Sequence, residues 1–456
     1  MSFKKNLLKN GIATLILKGL KIAEQLLLVP FFITAWGAAY YGEWLTLTII
    51  PTVLGLSDLG FGSAAANAFI LRYASNDRQG AANMIKSGFR TIHIVVFSGI
   101  IFSLLLLFIL SYFEVFDKTL IDKRDAIIAI SFLMVARFLA FYQQLFDAYF
   151  KAARRASLSI NLLGVYSGLN LFGGLIVLYF EGNIVSFAFV NFCTAILFVI
   201  FYALIAKRIL PSIKEYQGKV LKTDIKLIIA KGFGYLLSPI WQAIFFQGTT
   251  FVVRIVLGPV AVTIFNTVRT ATRAINQANT IVINSVMPEM QYEIGANNLT
   301  KARKIFRFSF FSTILISGIG MILLYFFGLE LYEIWTKNQL STPVEMWNVF
   351  IIGILFNAIW WLSGDILLFS NKPFVFTSAA VIIALLSVLI SYVLSMYFGL
   401  TGAALGSLFL DTVLVLYILP KSLKLLGQPI KSIINDTYND FNVAWIKLIS
   451  SIKSNK

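Results

Sequence analysis

Twelve long apolar stretches, separated by short polar segments, constrain this chain more than any other feature. A helix that crosses a bilayer needs about 20 mostly apolar residues, and each stretch is close to that length or longer. An all-α polytopic membrane protein with twelve transmembrane helices is therefore predicted. The predicted spans are 11–35, 43–71, 90–112, 126–150, 159–180, 184–206, 228–256, 261–288, 306–327, 346–370, 375–398 and 402–420.

The composition agrees with this class. Of the 456 residues, 58% are hydrophobic and only 13% are charged, whereas soluble domains carry about 25% charged residues. This excludes a soluble enzyme, a nucleic-acid-binding domain and a disordered chain. Cys193 is the only cysteine and His93 the only histidine, so we expect no disulfide framework, no metal site and no cofactor. The first apolar stretch is long enough to span, so no cleavable signal peptide is expected.

The basic residues indicate the orientation. Most of the 38 Lys and Arg residues lie on the side of the N-terminus when the spans are counted in order. The opposite side carries only Lys118, Lys123, Arg124 and Lys337. Because Lys and Arg are retained in the cytoplasm, both termini are predicted to be cytoplasmic.

The two halves of the chain resemble each other. A short outer turn precedes the second span of each half, and a basic inner stretch precedes the third. Parallel repeats of this kind are common in transporters. The turns are 36–44 and 257–266, and the basic stretches are 81–90 and 299–308.

This duplication predicts four parts. Residues 1–210 form an N-terminal six-helix lobe, 211–227 a cytoplasmic linker, 228–425 a C-terminal six-helix lobe and 426–456 a cytoplasmic tail. The tail is expected to form an interfacial helix or to dock a partner protein.

Charges within the spans are the candidate functional residues, because they are costly in hydrocarbon. At 100° per residue, span 8 places Asn266, Arg269, Arg273, Asn276, Gln277, Thr280 and Asn284 on one stripe. Spans 1 and 4 present smaller cationic faces, which contain Lys21 beside Glu24 and Arg137 near Asp147. With Arg254, these residues predict a central cationic cavity and an anionic substrate.

Other readings of these charges stay open. Glu24 and Asp147 could instead neutralise Lys21 and Arg137 within the helix bundle. The buried acids could couple transport to protons or cations, or could hydrogen-bond to neighbouring helices. The candidate ion-coupling acids are Asp58, Asp147, Asp365 and Asp411.

The segment YGEWLTLTIIPTVLGLSDLGFGSAAANAF at 41–69 resembles the second span of bacterial polysaccharide-repeat flippases of the Wzx type. The shared features are an aromatic-Gly-x-Trp entry at 41–44 and Asp-Leu-Gly-x-Gly at 58–62. The segment 257–273, with Pro288 and the basic residues at 301–307, is similar to the eighth-span region of that family. The resemblance covers nearly the whole chain.

The resemblance implies two six-helix lobes around a cationic cavity, in the bacterial inner membrane. It implies a flippase that moves an undecaprenyl-pyrophosphate-linked oligosaccharide to the outer leaflet, for O-antigen or another surface polysaccharide. H⁺ or Na⁺ would be the coupling ion, and the polymerase and chain-length proteins of glycan assembly would be partners, with no nucleic acid. Functional basic residues of related lipid flippases map onto Lys21, Arg269 and Arg273. The Arg-Asp pair of the peptidoglycan relatives is absent from span 1.

Two other functions are open. One is a cation-coupled multidrug extruder of the same superfamily, although a cavity rich in arginine does not suit cationic drugs. The other is a membrane-embedded polysaccharide polymerase, although such enzymes have a large outer loop. The chain has neither a GxxxxGK[ST] phosphate loop nor a nucleophile motif in a supporting context, so we expect a transporter and not an enzyme.

Overall fold

The computed structural model describes residues 3–55, 60–213, 215–295, 298–369, 373–429, 431, 433 and 435–436, and these residues are helical with short connections. The prediction of an all-α protein is confirmed. The helices are α1 Phe3–Leu47, α2 Ile49–Leu54, α3 Phe61–Ala74, α4 Arg78–Tyr112, α5 Lys123–Ala152, α6 Ala156–Tyr179, α7 Ile184–Ile209, α8 Lys222–Leu257, α9 Pro259–Gly295, α10 Leu299–Trp335, α11 Val344–Phe369 and α12 Pro373–Leu426.

Twelve predicted spans correspond to these helices with two differences. Within the described residues, eight helices are long and apolar enough to cross a membrane: α4 to α8 and α10 to α12. The last of them, α12, contains predicted spans 11 and 12, which meet at the non-helical Gly399 (φ 55°). Spans 1 and 8 lie in α1 and α9, which are not among these eight helices.

Span 2 is the other difference, because its helix is interrupted within the predicted range 43–71. The chain is helical to Leu47, forms the short α2, and starts α3 after Gly60, which has a left-handed backbone (φ 71°). Glycine adopts this conformation without a Cβ clash. The candidate Asp58 lies outside the described residues.

The duplication is visible in the local geometry. Gly37 (φ 74°) turns the chain within α1, and Gly258 (φ 89°) turns it between α8 and α9. Asp77 caps α4 by accepting a hydrogen bond from the Gly80 amide, and Asn298 caps α10 in the same way at the Lys301 amide. The two glycine turns are separated along the chain by the same number of residues as the two capping residues. This is expected for a repeat in which the same helix-starting chemistry recurs.

The chain forms two compact units. The first unit contains Met1–Ala243 and Gly258–Thr263, and the second contains Ile244–Leu257 and Ile264–Lys456. The segment 215–221 and the start of α8 belong to the first unit. There, Arg72 makes a bidentate ion pair with Asp224 at 2.8 and 3.2 Å. In the second unit, Arg307 of α10 donates to Gln428 at 2.9 Å, at the start of the predicted tail. Residues 437–456 lie outside the described residues.

Small residues join the two halves of α12, on either side of Gly399. Ser387 donates to the carbonyl of Gly406 at 2.7 Å, and Ser391 donates to the carbonyl of Ala403 at 3.2 Å. A Cβ on Gly402 would lie 2.0 Å from the Leu394 carbonyl oxygen. Contacts this close need small side chains, as in other helix pairs within membranes.

Candidate functional site

Arg269 of α9 is hydrogen-bonded to polar groups on the neighbouring helix α8. Its guanidinium donates to the hydroxyls of Thr249 at 2.9 Å and Thr250 at 3.0 Å, and to the Phe246 carbonyl at 3.3 Å. It also donates to the side chain of Asn266, one turn earlier on α9. These acceptors are neutral, so the positive charge of Arg269 is held in place without being cancelled by them.

Arg273 lies one turn further along α9 and is held differently. Its guanidinium carbon lies 4.0 Å from the centre of the Phe246 ring, which is a cation–π contact. Among the described residues, no group accepts a hydrogen bond from Arg273. No described residue therefore uses its N–H groups, and its recorded side-chain contact is with the Phe246 ring.

Asp411 of α12 supplies the one carboxylate that interacts electrostatically with Arg273 among the described residues. Its Oδ1 atom accepts from the Trp360 indole at 2.7 Å and from the Asn357 amide at 3.2 Å, both on α11. Among the described residues, this cluster therefore holds two guanidinium groups and one carboxylate, and it keeps an excess of positive charge. We name Arg269, Arg273, Phe246 and Asp411 the arginine cluster.

The sequence predicted the two arginines and the acid but missed their supporting residues. Thr249, Thr250, Asn357 and Trp360 were not singled out, because each is an ordinary residue in its own apolar helix. The lack of any acid near the arginines along the chain was the available signal that their partners come from other helices.

The remaining polar residues of the span 8 stripe differ in their exposure. The Oδ1 atom of Asn276 is buried and has no hydrogen-bond partner among the described residues. Gln277 is exposed. Thr280 donates to the backbone carbonyl of Asn276 at 2.8 Å. The side chain of Asn284 lies outside the described residues.

The cationic candidates of the first unit are more exposed. Lys21 and Arg137 are both exposed, and both interact electrostatically with Glu24. Glu24 accepts a hydrogen bond from Ser167 of α6 at 3.0 Å. The open alternative that Glu24 compensates these cations is therefore compatible with their positions. Arg254, which belongs to the second unit, is half-buried in the last turn of α8.

Asp147 has a partner that differs from the one considered in the sequence. Its carboxylate forms an ion pair with Lys151 at 2.6 Å, one turn along α5, rather than with Arg137. It also accepts hydrogen bonds from Ser159 and from Tyr202, the latter at 3.4 Å. A carboxylate with this many partners is well explained by helix packing, and its ion-coupling role stays a prediction.

Asp365 differs from Asp147 in its surroundings. It is half-buried on α11 and makes no hydrogen bond or ion pair with any other described residue. Its predicted role in ion coupling is therefore compatible with its surroundings.

We expect Asp411→Asn to destabilise the second unit by about 1–3 kcal/mol, because it removes a charge that accepts two hydrogen bonds and faces Arg273. The melting temperature of the purified protein in detergent measures this loss. Asp365→Asn is the matched control and should lower the melting temperature less.

A double variant tests the link to Arg273. If Asp411 compensates Arg273, Asp411→Asn with Arg273→Gln should lower the melting temperature by less than the sum of the single variants. Additive losses would show that the two charges act independently.

Comparison with known protein families and with curated proteins finds no match. Solved structures do match. An inward-facing multidrug resistance MATE family transporter of the MOP superfamily has a TM-score of 0.68 at 14% identity, covering 90% of this chain and 94% of its own. The chain has the MATE transporter fold.

Two further MATE-fold structures extend this likeness. A MOP superfamily transporter from Pyrococcus furiosus, described as having a binding pocket of reverse polarity that suggests a different function, has a TM-score of 0.63 at 14% identity. The alignment covers 93% of this chain and 96% of that one. An outward-facing multidrug resistance MATE family transporter has a TM-score of 0.60 at 14% identity, with the same coverage.

These neighbours are transporters and not enzymes, and the expected transporter architecture is confirmed at the level of the MATE fold. The placement of the chain in the Wzx-type branch stays a prediction. Identity of 14% carries the fold and leaves the substrate to be argued from this chain's own residues.

Proposed function

We propose that this MATE-fold protein is a flippase for an anionic, lipid-linked oligosaccharide carried on undecaprenyl pyrophosphate. The observation that carries the proposal is the excess positive charge of the arginine cluster. Among the described residues, none accepts a hydrogen bond from Arg273, and the carboxylate that interacts with it, Asp411, already accepts two hydrogen bonds. Guanidinium groups bind phosphate oxygens with two parallel hydrogen bonds.

The two arginines would have different roles in binding the pyrophosphate. Arg269, anchored by Thr249 and Thr250, would provide a fixed positive charge, and Arg273 would contact the pyrophosphate. A phosphate cannot enter hydrocarbon without such compensation. The side-chain Oδ1 atom of Asn276, which is buried and has no partner among the described residues, would accept a hydrogen bond from a sugar hydroxyl.

The proposed setting is a bacterial inner membrane with both termini in the cytoplasm. The proposed partners are the polymerase and chain-length proteins of glycan assembly. Asp365 and Asp411 are the described acids on α11 and α12 that would carry a coupling H⁺ or Na⁺. Of the two, Asp365 is the better candidate because it has no partner among the described residues.

Multidrug efflux is the second candidate, supported by the multidrug resistance transporters among the structural neighbours. The charge of the arginine cluster argues against it for cationic drugs, because like charges repel in a site of low dielectric constant. An anionic or zwitterionic drug would be compatible with the same cluster.

Complementation separates these two functions. The chain is expressed, with its cognate glycan locus, in a host that lacks its own repeat-unit flippase, and surface glycan is quantified. We expect glycan to be restored and the susceptibility of an efflux-deficient host to cationic drugs to be unchanged. Absence of glycan at normal membrane expression, with increased drug resistance, would contradict the flippase and favour the extruder.

A further inference from the structure

A cavity lies within the first unit. It has a volume of about 730 Å³ and lies between α4, α5 and α7, where α5 packs against both of the other helices. This volume is within the range of about 300–1,000 Å³ typical of ligand sites. We name it the lateral groove, and it is lined by Phe89, His93, Leu139, Tyr142, Ile200 and eleven other residues.

The lateral groove is bordered by surfaces that face lipid. Ile200 on α7 is 55% exposed, and Phe97 on α4 is 68% exposed. In a chain that crosses the bilayer, exposed apolar side chains on spanning helices contact acyl chains. The walls of the groove are therefore continuous with the lipid-facing surface of the bundle.

Two lysines line one end of the lateral groove. Lys86 on α4 and Lys207 on α7 are both exposed, and neither forms an ion pair or a hydrogen bond with another described residue. No residue that lines the groove is acidic. The distribution of Lys and Arg places this end at the cytoplasmic face. Basic pockets between helices on that face suit the phosphate of anionic lipids.

The segment that follows α7 closes the same end of the groove. Asn83 accepts from the Lys219 amide at 2.7 Å, and Ser87 accepts from the Leu221 amide at 3.0 Å. A Cβ on Gly218 would lie 2.3 Å from the Ala82 carbonyl oxygen. Three lining residues of this segment, Ile213, Tyr216 and Gly218, therefore form an end wall held against α4.

A polar pair lies deeper in the groove. His93 and Tyr142 share a hydrogen bond of 2.7 Å. His93 is two turns beyond Lys86 on α4, a distance of about 10 Å along the axis. The groove thus has charge at its cytoplasmic end, one polar pair farther in, and apolar and aromatic side chains between them.

We propose that the lateral groove binds one anionic phospholipid of the cytoplasmic leaflet. The phosphate lies between Lys86 and Lys207, and one acyl chain lies along Phe89, Leu139 and Ile200. The groove has a basic end followed by apolar side chains, and a phospholipid has a phosphate followed by acyl chains. The positive charge of the two lysines complements the negative charge of a phosphodiester. This site is separate from the arginine cluster and does not depend on the proposed flippase activity.

The test is a titration of the full-length protein in neutral detergent with dioleoyl-phosphatidylglycerol, followed by native mass spectrometry. The variant Lys86→Gln with Lys207→Gln removes the two charges. We expect its affinity to fall about fivefold per lysine, or about 25-fold in total. The matched control is Lys304→Gln with Lys424→Gln, two exposed lysines on α10 and α12, and it should bind as the wild type does.

Three further probes define the ligand. Dioleoyl-phosphatidylcholine should bind more weakly than phosphatidylglycerol, and glycerol 1-phosphate, which has no acyl chains, should not bind. Ala203→Trp, which places a large ring in the groove while keeping both lysines, should reduce phosphatidylglycerol binding at an unchanged melting temperature.

The proposal is overturned if the Lys86/Lys207 variant binds phosphatidylglycerol as tightly as the wild type, or if the control loses as much affinity. If glycerol 1-phosphate bound with the same affinity as phosphatidylglycerol, the apolar part of the groove would not contribute to binding. Displacement of phosphatidylglycerol by a lower concentration of undecaprenyl pyrophosphate would assign the groove to the carrier lipid instead.

Discussion

Arg273→Ala should reduce flippase-dependent surface glycan at least tenfold at matched membrane expression. Arg273 contributes guanidinium N–H groups that no described residue uses, beside the Phe246 ring at 4.0 Å. Its loss would remove the group available for two parallel hydrogen bonds to phosphate. Because Arg273 donates no hydrogen bond to another described residue, the melting temperature should change by only a few degrees, mainly through its lost interaction with Asp411.

Lysine at the same position distinguishes charge from geometry. Arg273→Lys keeps a positive charge but loses the planar fork that binds phosphate, and it should restore only part of the activity. If charge alone matters, the lysine variant should be as active as the wild type.

Arg269→Ala should reduce activity as well, but for a different reason. Arg269 is held by Thr249, Thr250 and Asn266, and its removal leaves these groups without their donor. We therefore expect a lower melting temperature together with lower activity. Arg208→Ala, at an exposed position at the end of α7, is the control for loss of an arginine. It should change neither the activity nor the melting temperature.

The outcome that contradicts this assignment is clear. If Arg269→Ala and Arg273→Ala both restore glycan to the wild-type level, the arginine cluster is not the substrate site. The flippase proposal would then stand on complementation by the wild type alone, and the site would have to be sought elsewhere.

Gly402→Ala with Gly406→Ala should prevent accumulation of folded protein. A Cβ on Gly406 would lie 2.6 Å from the Ser391 Cα, and one on Gly402 would lie 2.0 Å from the Leu394 carbonyl oxygen. Both contacts involve backbone atoms, so the two halves of α12 would have to separate. Overpacking of this kind costs about 1–3 kcal/mol per site, and more where the backbone is fixed.

Gly318→Ala is the matched control on α10. A Cβ there would meet nothing within 4 Å, and alanine is a better helix former than glycine by about 1 kcal/mol. We therefore expect opposite signs: a stable or slightly more stable Gly318 variant, and loss of the monodisperse peak of the Gly402/Gly406 variant in size-exclusion chromatography. A normal peak and melting temperature for the latter would contradict the close packing within α12.

Much of the fold could be predicted from local patterns. The length of the apolar stretches predicted the spanning helices, and the turns at Gly37 and Gly258 fell within the predicted outer segments. The ion pair of Asp147 with Lys151, one helical turn apart, could also have been predicted, since i,i+4 pairs are neighbours on any helix.

The break in span 2 was harder to predict. The segment 43–71 is apolar enough for one helix, but the chain interrupts it around the left-handed Gly60. Hydropathy measures the preference for the bilayer and is the same for a continuous and a broken helix, so it could not distinguish between them.

The sequence by itself determined which residues share the polar face of α9, because helical periodicity depends only on the spacing of residues along one helix. The tertiary structure decided what that face meets. Thr249 and Thr250 come from α8, Asn357 and Trp360 from α11, and Asp411 from α12. The lateral groove has the same origin, since Lys86 and Lys207 are far apart in the chain. Such groups meet only through the packing of separate helices, which depends on side-chain shape and close approach rather than on any local period.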